Sequence, residues 1–270
     1  MKIAVCQAEG VNGDVAKAID LVRSQAEVAA SRGASLVVFP EMFLTGYNIG
    51  EAAFKLAEPV DGPWAAAVEK IAGVSGVSIL YGYPERSDNR IFNSALLIHP
   101  AQGAVANYRK THLYGNEEKR LFVPGEDLVV AELDGLKVGI LICYDVEFPE
   151  AVRAMALAGA ELIAVPTALI QPFDLVARTL VPIRAFENQV YVAYAGMCGQ
   201  EGDLGYCGLS CIVGPDGQDL ARADTSPALL LADIDLSAIS SGRASNPYLS
   251  DRRPELYAAP AYRVRSPSGK

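Results

Sequence analysis

Three residues that could together perform acyl transfer each follow an apolar or extended stretch of the sequence. Glu41 ends SLVVFPE, Lys110 ends NYRK and Cys143 ends ILIC. In layered α/β proteins, reactive side chains gather at strand ends, where rigid backbone positions them. A thiolate can attack a carbonyl carbon, a glutamate can take the thiol proton and later activate water, and a lysine can stabilise the oxyanion. These residue types predict a cysteine-dependent acyl-transfer site if the fold brings them together.

The residues that follow Cys143 complicate this interpretation, because three of them are acids: Asp145, Glu147 and Glu150. Nearby carboxylates raise the pKa of a thiol rather than lower it. Cys143 could therefore be a packed core thiol, a metal ligand, or a nucleophile whose activating groups come from elsewhere in the chain. Lys110 could supply that activation, and His112 beside it offers an alternative Cys-His dyad.

Cysteine and histidine spacing argues against a metal site and against disulfides. The odd count of five cysteines, with no secretory signal in the sequence, does not suggest a disulfide framework. Cys207 and Cys211 are four residues apart but lack two further ligands, and His99 and His112 are not at paired ligand spacing. The acyl-transfer chemistry needs neither a metal nor an organic cofactor, so we expect none.

Composition and charge exclude several other classes of protein. The chain has 270 residues, of which 51% are hydrophobic and 20% charged, as in an ordinary globular domain. Its net charge of −9 argues against binding nucleic acid or an anionic membrane surface. The apolar run in MKIAVCQAEG is too short for a signal peptide, and no run reaches the length of a membrane span. We expect a cytoplasmic protein with a small-molecule partner.

Strand and helix patterns alternate along the chain and predict the elements that must position these residues. The strand-like segments are short, apolar and bounded by Gly, Pro or acids: KIAVCQ, SLVVFPE, VSILYGY, SALLIHP, LKVGILICYD, ELIAVPT, VYVAYAG, SCIVGPDG and LLLADIDL. Apolar stripes predict helices from Asp14 to Gly33, around Trp64, from Pro149, and over 174–188 with a kink or split at Pro182. We predict one α/β domain over 1–262, with helices covering the sheets, and a loose tail over 263–270.

Three blocks of the sequence resemble the signature blocks of a known family. FPEMFLTGYNIG, NYRKTHLYG and GILICYDVEFPE are similar to those of the nitrilase superfamily, the carbon–nitrogen hydrolases, and they occur in the family's order. The resemblance covers nearly the whole chain and is strongest to the aliphatic amidase group. It implies a four-layer α-β-β-α sandwich and a homodimer or higher homo-oligomer.

The resemblance also implies a role for each of the reactive residues. Glu41 matches the general base, Lys110 the catalytic lysine and Cys143 the nucleophile. Many members of the family have a second glutamate in the loop after the lysine, which here reads GNEEKRLFVPGE. Counted back from the Pro-Gly pair, Glu118 fits that position better than Glu117.

Further residues are expected to form the oxyanion hole and the substrate pocket. The resemblance implies that the backbone N–H of Tyr144 joins Lys110 in the oxyanion hole. Flanking segments are expected to line the acyl pocket through Tyr47, Thr167, Ala168 and Leu169. Glu147 has three possible roles. It could be a polar residue favoured by the helix dipole, a brace of the site, or an anchor for the ammonium of an ω-amino substrate.

The predicted function is hydrolysis of small aliphatic amides to a carboxylic acid and ammonia through a cysteine thioester. The favoured substrate is 5-aminopentanamide. The same site could instead serve an N-carbamoyl amidohydrolase, an ω-amidase or a nitrilase, although an ω-amidase would need basic pocket residues that the sequence does not reveal. An alternative of a different class is a non-catalytic binding or redox protein that retains the fold, which intact Glu41, Lys110 and Cys143 argue against.

Overall fold

Two β-sheets pack face to face, and helices cover their outer faces, in the computed structural model, which describes residues 1–257. The strands are β1 (Lys2–Glu9), β2 (Leu36–Val38), β3 (Ser78–Ser87), β4 (Arg90–His99), β5 (Gly103–Arg109), β6 (Val129–Leu133), β7 (Leu136–Ile140), β8 (Leu162–Thr167), β9 (Tyr191–Cys198), β10 (Gln200–Glu201), β11 (Leu204–Gly205), β12 (Cys211–Val213), β13 (Asp219–Arg222) and β14 (Ala228–Asp233). The helices are α1 (Val15–Ser31), α2 (Ala52–Leu56), α3 (Pro63–Ser75), α4 (Gly115–Leu121), α5 (Pro149–Leu157), α6 (Val181–Asn188), α7 (Leu236–Ser245) and α8 (Pro254–Tyr257).

Each sheet has a parallel centre and antiparallel edges. The first runs in the order β5-β4-β3-β2-β1-β14, with β1, β2 and β3 parallel. The second runs β6-β7-β8-β9-β12-β13, with β7, β8 and β9 parallel. A short pairing of β1 with β9 joins the two sheets, and β10 and β11 form a separate hairpin. The parallel centres place the carboxyl ends of β2 and β8 near each other.

Successive side chains of β1 point to opposite faces of the sheet and pack into two different layers. Ile3 and Val5 of β1 belong to the core between the sheets, whereas Ala4 and Cys6 point the other way. The second pair packs against the buried stripe of α1, formed by Ala18, Val22, Ala26 and Ala29. Both faces of β1 are therefore buried, which explains its nearly continuous apolar sequence. The predicted four-layer α-β-β-α sandwich is confirmed.

Most predicted helix boundaries agree with the structure. The Asp14 carboxylate caps α1 by accepting from the Lys17 N–H at 3.0 Å. Pro149 lies in the first turn of α5. Pro182 does not separate two helices: a π turn, Val176–Leu180, continues directly into α6, and Pro182 lies in the first turn of α6. The proline has no N–H to donate within this continuous helix, and the Ala177 carbonyl of the preceding π turn accepts from the Arg222 guanidinium at 3.0 Å.

The strand before Cys143 is shorter than the sequence predicts. The β7 ladder ends at Ile140, and Cys143 begins a 3₁₀ turn that runs to Glu147. The predicted domain boundary at residue 262 and the predicted tail 263–270 lie outside the described residues. No helix among the residues described is both long and apolar enough to cross a membrane.

Candidate active site

Cys143 lies at a sharp change of backbone direction after β7. The Leu141 N–H still bonds to the Ala164 carbonyl of β8, but Cys143 takes a φ of 45°, in the left-handed region. A non-glycine residue adopts that conformation only where its surroundings hold it, and such strain clusters at functional sites. The turn projects the side chain of Cys143 away from the core and into a cavity.

Asp145 holds this turn against the segment that carries Lys110. Its carboxylate is fully buried and accepts five hydrogen bonds of 2.8–3.0 Å. The donors are the Tyr108 hydroxyl, the Thr111 hydroxyl, the N–H and Nδ1 of His112, and the Ile142 N–H. The acid nearest to the cysteine in sequence is thus a brace that joins the two segments.

His112 belongs to this brace. Its Nδ1 lies 2.8 Å from an Asp145 oxygen, and its ring stacks on Phe148 at 3.9 Å between centroids. A Cys-His dyad would need an imidazole nitrogen directed at the sulfur. The structure instead holds the ring between a carboxylate and an aromatic face, so the geometry favours the structural interpretation of His112.

Glu41, Lys110 and Glu118 meet in a buried ionic cluster. The Lys110 Nζ lies 2.7 Å from Oε1 of Glu41 and 2.7 Å from Oε1 of Glu118. All three side chains are buried. Burial alone would lower the pKa of Lys110, but the two carboxylates outweigh it and hold that pKa well above its usual value. An ammonium has three donors, so one N–H remains for a third acceptor.

Glu41 is held by groups from three other segments. Its Oε1 also accepts from Asn93 Nδ2 at 2.7 Å, and its Oε2 accepts from the Ala168 N–H at 3.0 Å. Burial raises the pKa of Glu41, and Lys110 and Asn93 oppose that rise only in part. A carboxylate in this state accepts a proton more readily than an exposed glutamate, as a general base must.

The two candidate glutamates of the following loop have different surroundings. Glu118 accepts from the Tyr47 hydroxyl at 2.6 Å and from the Tyr114 N–H at 2.9 Å, besides its bond to Lys110. Glu117 is exposed on the same helix, α4, and pairs with Arg120. The structure therefore brings Glu118, and not Glu117, to the ionic cluster.

Replacing each of these glutamates by glutamine gives a matched pair of variants. We expect Glu118→Gln to lower kcat by about 10- to 100-fold, because a charge-assisted hydrogen bond contributes about 1.5–3 kcal/mol. Glu117→Gln should stay within about twofold of wild type, as for an exposed pair. Steady-state ammonia release from a good amide substrate checks this, and equal effects of the two changes would contradict the assignment.

The surroundings of Cys143 favour the protonated thiol over the thiolate. Burial, followed by the charge of Glu41, raises the pKa of Cys143 well above its usual value. The Lys110 ammonium opposes this shift, and so do the Thr167 hydroxyl and the Ala168 N–H. A thiol in this setting becomes a nucleophile only when a base removes its proton as it attacks. Glu41 is the base that the cluster offers.

The other four cysteines differ from Cys143 in burial. All five are free thiols, and only Cys143 is partly exposed. Burial raises the pKa of Cys6 and of Cys211 to about 12 and that of Cys198 to about 11. These residues pack as small hydrophobes. Within residues 1–257, no group of three or more His, Cys, Asp or Glu side chains is arranged to hold a metal ion.

A cavity of about 230 Å³ opens onto the sulfur. Its walls include most of the residues expected from the sequence: Tyr47, Cys143, Tyr144, Glu147, Ala168 and Leu169. Thr167 does not line it. That residue is fully buried, and its hydroxyl donates to the Tyr194 hydroxyl at 3.1 Å. Strand alternation turns Thr167 inward, so the structure places it behind the cysteine.

Sequence reasoning missed four residues that shape this site. Tyr114, Ile170 and Phe173 complete the cavity wall, and Asn93 binds Glu41. Asn93 had a detectable signal, since it is a polar residue inside the apolar strand RIFNSALLIH. Tyr114 follows closely after Lys110 in the same block. Ile170 and Phe173 lie in an irregular segment after β8, where no periodicity points to them.

The backbone around Tyr144 is open towards the cavity. The Tyr144 N–H donates to no acceptor among the residues that the structure describes. The carbonyls of Val146 and Glu147 are held by the Arg184 guanidinium at 3.0 and 2.8 Å. The turn is therefore anchored from the side of α6, while the Tyr144 N–H stays free to bind an oxyanion.

A buried base, a buried lysine and a cavity-lining thiol define a cysteine-dependent hydrolase site on an α-β-β-α sandwich. The family model described as carbon-nitrogen hydrolase matches residues 2–244, and the chain belongs to this family. The assignment to the nitrilase superfamily is thereby confirmed, as is the prediction that the protein is an enzyme acting on carbon–nitrogen bonds.

The similar proteins agree with this class. The chain is 50% identical to the "Hydrolase in pqqF 5'region" of Pseudomonas protegens, covering 95% of this chain and 90% of the relative. It is 34% identical to N-carbamoylputrescine amidase of Arabidopsis thaliana, covering 92% and 90%. An amidase structure from Nesterenkonia sp. superposes with a TM-score of 0.86 at 36% identity over 95% of each chain. A glutamate-to-leucine variant of that amidase carries the acetamide moiety of fluoroacetamide covalently on its active-site cysteine.

Proposed function

We propose that the protein is an amidase for small linear amides that end in a primary amine, with 5-aminopentanamide as the leading substrate. The observation that carries this proposal is that one cavity is lined both by the reactive thiol and by an unpaired carboxylate. Cys143 lies in its wall beside the ionic cluster, and the carboxylate of Glu147, which also lines it, has no hydrogen-bond or ion-pair partner in residues 1–257. The thiol can attack an amide, and the carboxylate can bind a cation.

The first half of the reaction forms a thioester. The Cys143 sulfur attacks the amide carbon while its proton passes to Glu41. The free N–H of Lys110 and the Tyr144 N–H stabilise the oxyanion of the tetrahedral intermediate. The intermediate collapses when Glu41 gives its proton to the amide nitrogen, the carbon–nitrogen bond breaks and ammonia leaves.

The second half hydrolyses the thioester. A water molecule takes the place of ammonia, Glu41 removes its proton, and the resulting hydroxide attacks the thioester carbon. The same two N–H donors stabilise the second oxyanion. Breaking the carbon–sulfur bond releases the carboxylic acid, and the proton returns to Cys143. The acetamide moiety that fluoroacetamide leaves on the cysteine of the Nesterenkonia amidase supports, by analogy, the nucleophilic role of the cysteine.

The charge balance of the cluster explains why a neutral thiol can be the resting state. Glu41 and Glu118 carry two negative charges against the single positive charge of Lys110. A third negative charge on Cys143 is disfavoured in such a buried setting. Proton transfer to Glu41 as the sulfur attacks leaves the total charge of the site unchanged. Lys110 and Glu118 then act on the transition state through electrostatics rather than proton transfer.

The surroundings of the Glu147 carboxylate suit a primary ammonium group. Arg184 takes only the backbone carbonyl of Glu147 and leaves the carboxylate for a ligand. Tyr114, Tyr144 and Phe173 line the same cavity, and the ring of Tyr114 packs edge to face with those of Tyr144 and Phe173 at centroid distances of 5.2 Å and 6.4 Å. A carboxylate among aromatic rings is a setting in which ammonium groups bind through an ion pair and cation–π contacts.

Removing the charge of Glu147 tests the substrate assignment. We expect Glu147→Gln to lower kcat/KM for 5-aminopentanamide by about 10- to 100-fold, because a hydrogen bond to a charged group contributes about 1.5–3 kcal/mol. Turnover of pentanamide, which lacks the amine, should stay within about threefold. Glu150→Gln, an exposed acid at the start of α5, is the matched control. Wild-type preference for pentanamide over 5-aminopentanamide would refute the ω-amino assignment.

The preference for 5-aminopentanamide over pentanamide should depend on pH. Burial raises the pKa of Glu147, with Lys110 and Arg184 opposing, so the carboxylate becomes protonated at a higher pH than an exposed glutamate. The ammonium of the substrate stays charged over this pH range, because its pKa is about 10. The ratio of kcat/KM for 5-aminopentanamide to that for pentanamide should therefore fall as the pH is lowered through the Glu147 pKa, and Glu147→Gln should abolish that dependence.

Other reacting groups could enter the same cavity. The Arabidopsis relative acts, by its name, on N-carbamoylputrescine, which shares a terminal amine with 5-aminopentanamide but carries a urea. Ammonia release from matched amide, carbamoyl and nitrile compounds distinguishes the three activities. An ω-amidase is disfavoured, because no Lys or Arg lines the cavity in the described part of the chain and Glu147 would repel an acidic substrate.

Two expectations about the cellular form of the protein remain proposals. We propose self-association through the outer face of α5 and α6, where Leu157, Ile183 and Phe186 are exposed. Light scattering on the purified protein measures the oligomeric state.

We also propose a cytoplasmic location, which the free thiols of the described residues support. Fractionation of cells that express the protein checks it.

A further inference from the structure

One buried carboxylate outside the ionic cluster has no place in the reaction just described. Glu201 lies on the β10–β11 hairpin and is fully buried. Its side chain accepts hydrogen bonds of 2.7–3.2 Å from the Asn12 N–H, the Tyr47 N–H, the Asn48 N–H and the Tyr206 hydroxyl. A buried carboxylate is retained only where donors replace its hydration, and here three of the four donors are backbone N–H groups.

The backbone around Glu201 is shaped to fit the carboxylate. A side chain at Gly46 would collide with its Oε1, and a Cβ at Gly10 would lie 2.6 Å from the same oxygen. Gly46 also has a φ of 93°, which favours glycine. Two glycines from different loops thus let the backbone approach the carboxylate directly, and the 45–48 segment wraps around it.

The segment that Glu201 holds carries a contact to the ionic cluster. The Tyr47 backbone N–H bonds to Glu201, and the Tyr47 hydroxyl donates to Oε1 of Glu118 at 2.6 Å. That oxygen is the one that binds the Lys110 Nζ at 2.7 Å. A single side chain, Tyr47, therefore links Glu201 to the carboxylate that orients the lysine.

Glu201 also bonds to a tyrosine side chain that packs near the site. Its Oε2 accepts from the Tyr206 hydroxyl at 2.8 Å, and Tyr206 packs with Ala168 and Met197 in one apolar cluster. The Ala168 N–H donates to Oε2 of Glu41 at 3.0 Å. Glu201 thus holds both the backbone of Tyr47 and a tyrosine that packs against Ala168.

We propose that Glu201 is a positioning residue that sets the geometry of Lys110 and Glu118 through Tyr47, an inference that rests on the proposed roles of those two residues. The ammonium must present its free N–H to an oxyanion whose position is set by Cys143. Displacements of about 1 Å in such a group reduce rates by about 100-fold. Glu201 supplies rigidity to a loop segment that otherwise has little regular structure to hold it.

A merely structural role and a positioning role of Glu201 predict different coupling between the effects of substitutions at Glu201 and Tyr47 on kcat. Glu201→Gln keeps the volume but replaces one acceptor oxygen by a donor, so either role lowers thermal stability. If Glu201 acts through Tyr47, however, Tyr47→Phe should add little once Glu201 has been changed, because both substitutions release the same link. If it only stabilises the fold, the two effects on kcat should multiply.

The experiment combines a double-mutant cycle with a readout that needs no turnover. Wild type, Glu201→Gln, Tyr47→Phe and the double variant are compared for kcat and KM with an amide substrate. The same four proteins are tested for alkylation of Cys143 by iodoacetamide as a function of pH, quantified by peptide mass spectrometry. The control is Gln7→Met, which removes another buried side chain that bonds to backbone groups of three residues, Ser210, Asp224 and Ser226, none of which lines the cavity.

We expect Glu201→Gln to lower kcat by about 10- to 100-fold with KM changed less than about threefold, and Tyr47→Phe to add less than twofold in that background. The midpoint of Cys143 alkylation should move to higher pH, because a displaced Lys110 no longer lowers the thiol pKa. Gln7→Met should lower stability and leave that midpoint unchanged. Multiplicative effects on kcat, or an equal shift in Gln7→Met, would overturn the proposal.

The experiment also distinguishes the case in which Glu201→Gln does not fold and the case in which the wild type turns over no amide. If Glu201→Gln does not fold, Glu201→Asp retains the charge but draws the carboxylate back by one methylene group, and the same couplings apply. If no amide is turned over by wild type while the alkylation midpoints shift as expected, the proposed function fails and the positioning role stands.

Discussion

Replacing Cys143 with alanine is expected to reduce kcat/KM for small amides by at least about 10⁴-fold, the scale at which loss of a nucleophile acts in covalent catalysis. The free energy of unfolding should stay within about 1 kcal/mol of wild type. The reason is that the sulfur contacts the cavity rather than filling the core, while Asp145 and Arg184 hold the turn through backbone and neighbouring groups.

Ammonia release and thermal unfolding, measured on the same preparations, check both parts of this result. Cys198→Ala is the control, because Cys198 is a buried free thiol on β9 that has no contact with the ionic cluster. It should keep activity within about threefold. Retention of more than a tenth of the wild-type activity by Cys143→Ala would show that the sulfur is not the nucleophile.

Replacing Lys110 with methionine should affect both activity and stability. Activity should fall by about 100- to 1,000-fold, the range seen when one oxyanion donor is removed. Stability should fall by about 3–5 kcal/mol, because Glu41 and Glu118 would be left as buried carboxylates without their shared partner. Methionine keeps the length and apolar stem of the side chain, so the change isolates the charge.

The lost stability should itself depend on pH. Without the ammonium, at least one of the two carboxyls has a folded pKa above its unfolded value, since burial already raises the pKa of Glu41 with Lys110 present. The variant should therefore be most stable below the pKa that this carboxyl has in the unfolded chain. It should lose stability as the pH rises through the higher pKa that the carboxyl has in the folded protein. Denaturant unfolding at acidic and neutral pH checks this, and a variant equally stable at both would contradict the ionic description of the cluster.

A second change separates the two effects of the Lys110 substitution. In Lys110→Met/Glu118→Gln one of the opposed carboxylates is gone, so part of the stability should return. Activity should not return, because the oxyanion donor is still missing. If the double variant regained both, the low activity of Lys110→Met would reflect unfolding rather than the loss of a charge at the site.

The sequence predicted the parts of the molecule that depend on local patterns. The buried strands of the two sheets carry apolar runs, and the stripe on α1 and the proline of α5 predict their helices. Glu41, Lys110 and Cys143 were identified because each follows an extended stretch within a block that resembles the family. Counting back from Pro124 and Gly125 also favoured Glu118, and Glu118 is the glutamate that contacts Lys110.

Residues whose roles depend on distant partners were not predictable in this way. Glu201 lies 154 residues from Tyr47 along the chain, and nothing in the hairpin that carries it indicates four donors. Thr167 was expected in the cavity wall because it lies at a strand end, but the strand's alternation turns it behind the cysteine. Phe173 lines the cavity from a segment without periodicity, so only the folded chain reveals it.

The measurement that tests the central claim most directly is mass spectrometry of the enzyme quenched in acid during turnover of an amide. We predict a mass increase equal to the acyl group, located by peptide mapping to Cys143 alone and absent from Cys143→Ala. The buried thiols of Cys6, Cys198, Cys207 and Cys211 serve as internal controls in the same digest. Ammonia release without any acyl adduct, or an adduct on one of those four residues, would contradict the mechanism.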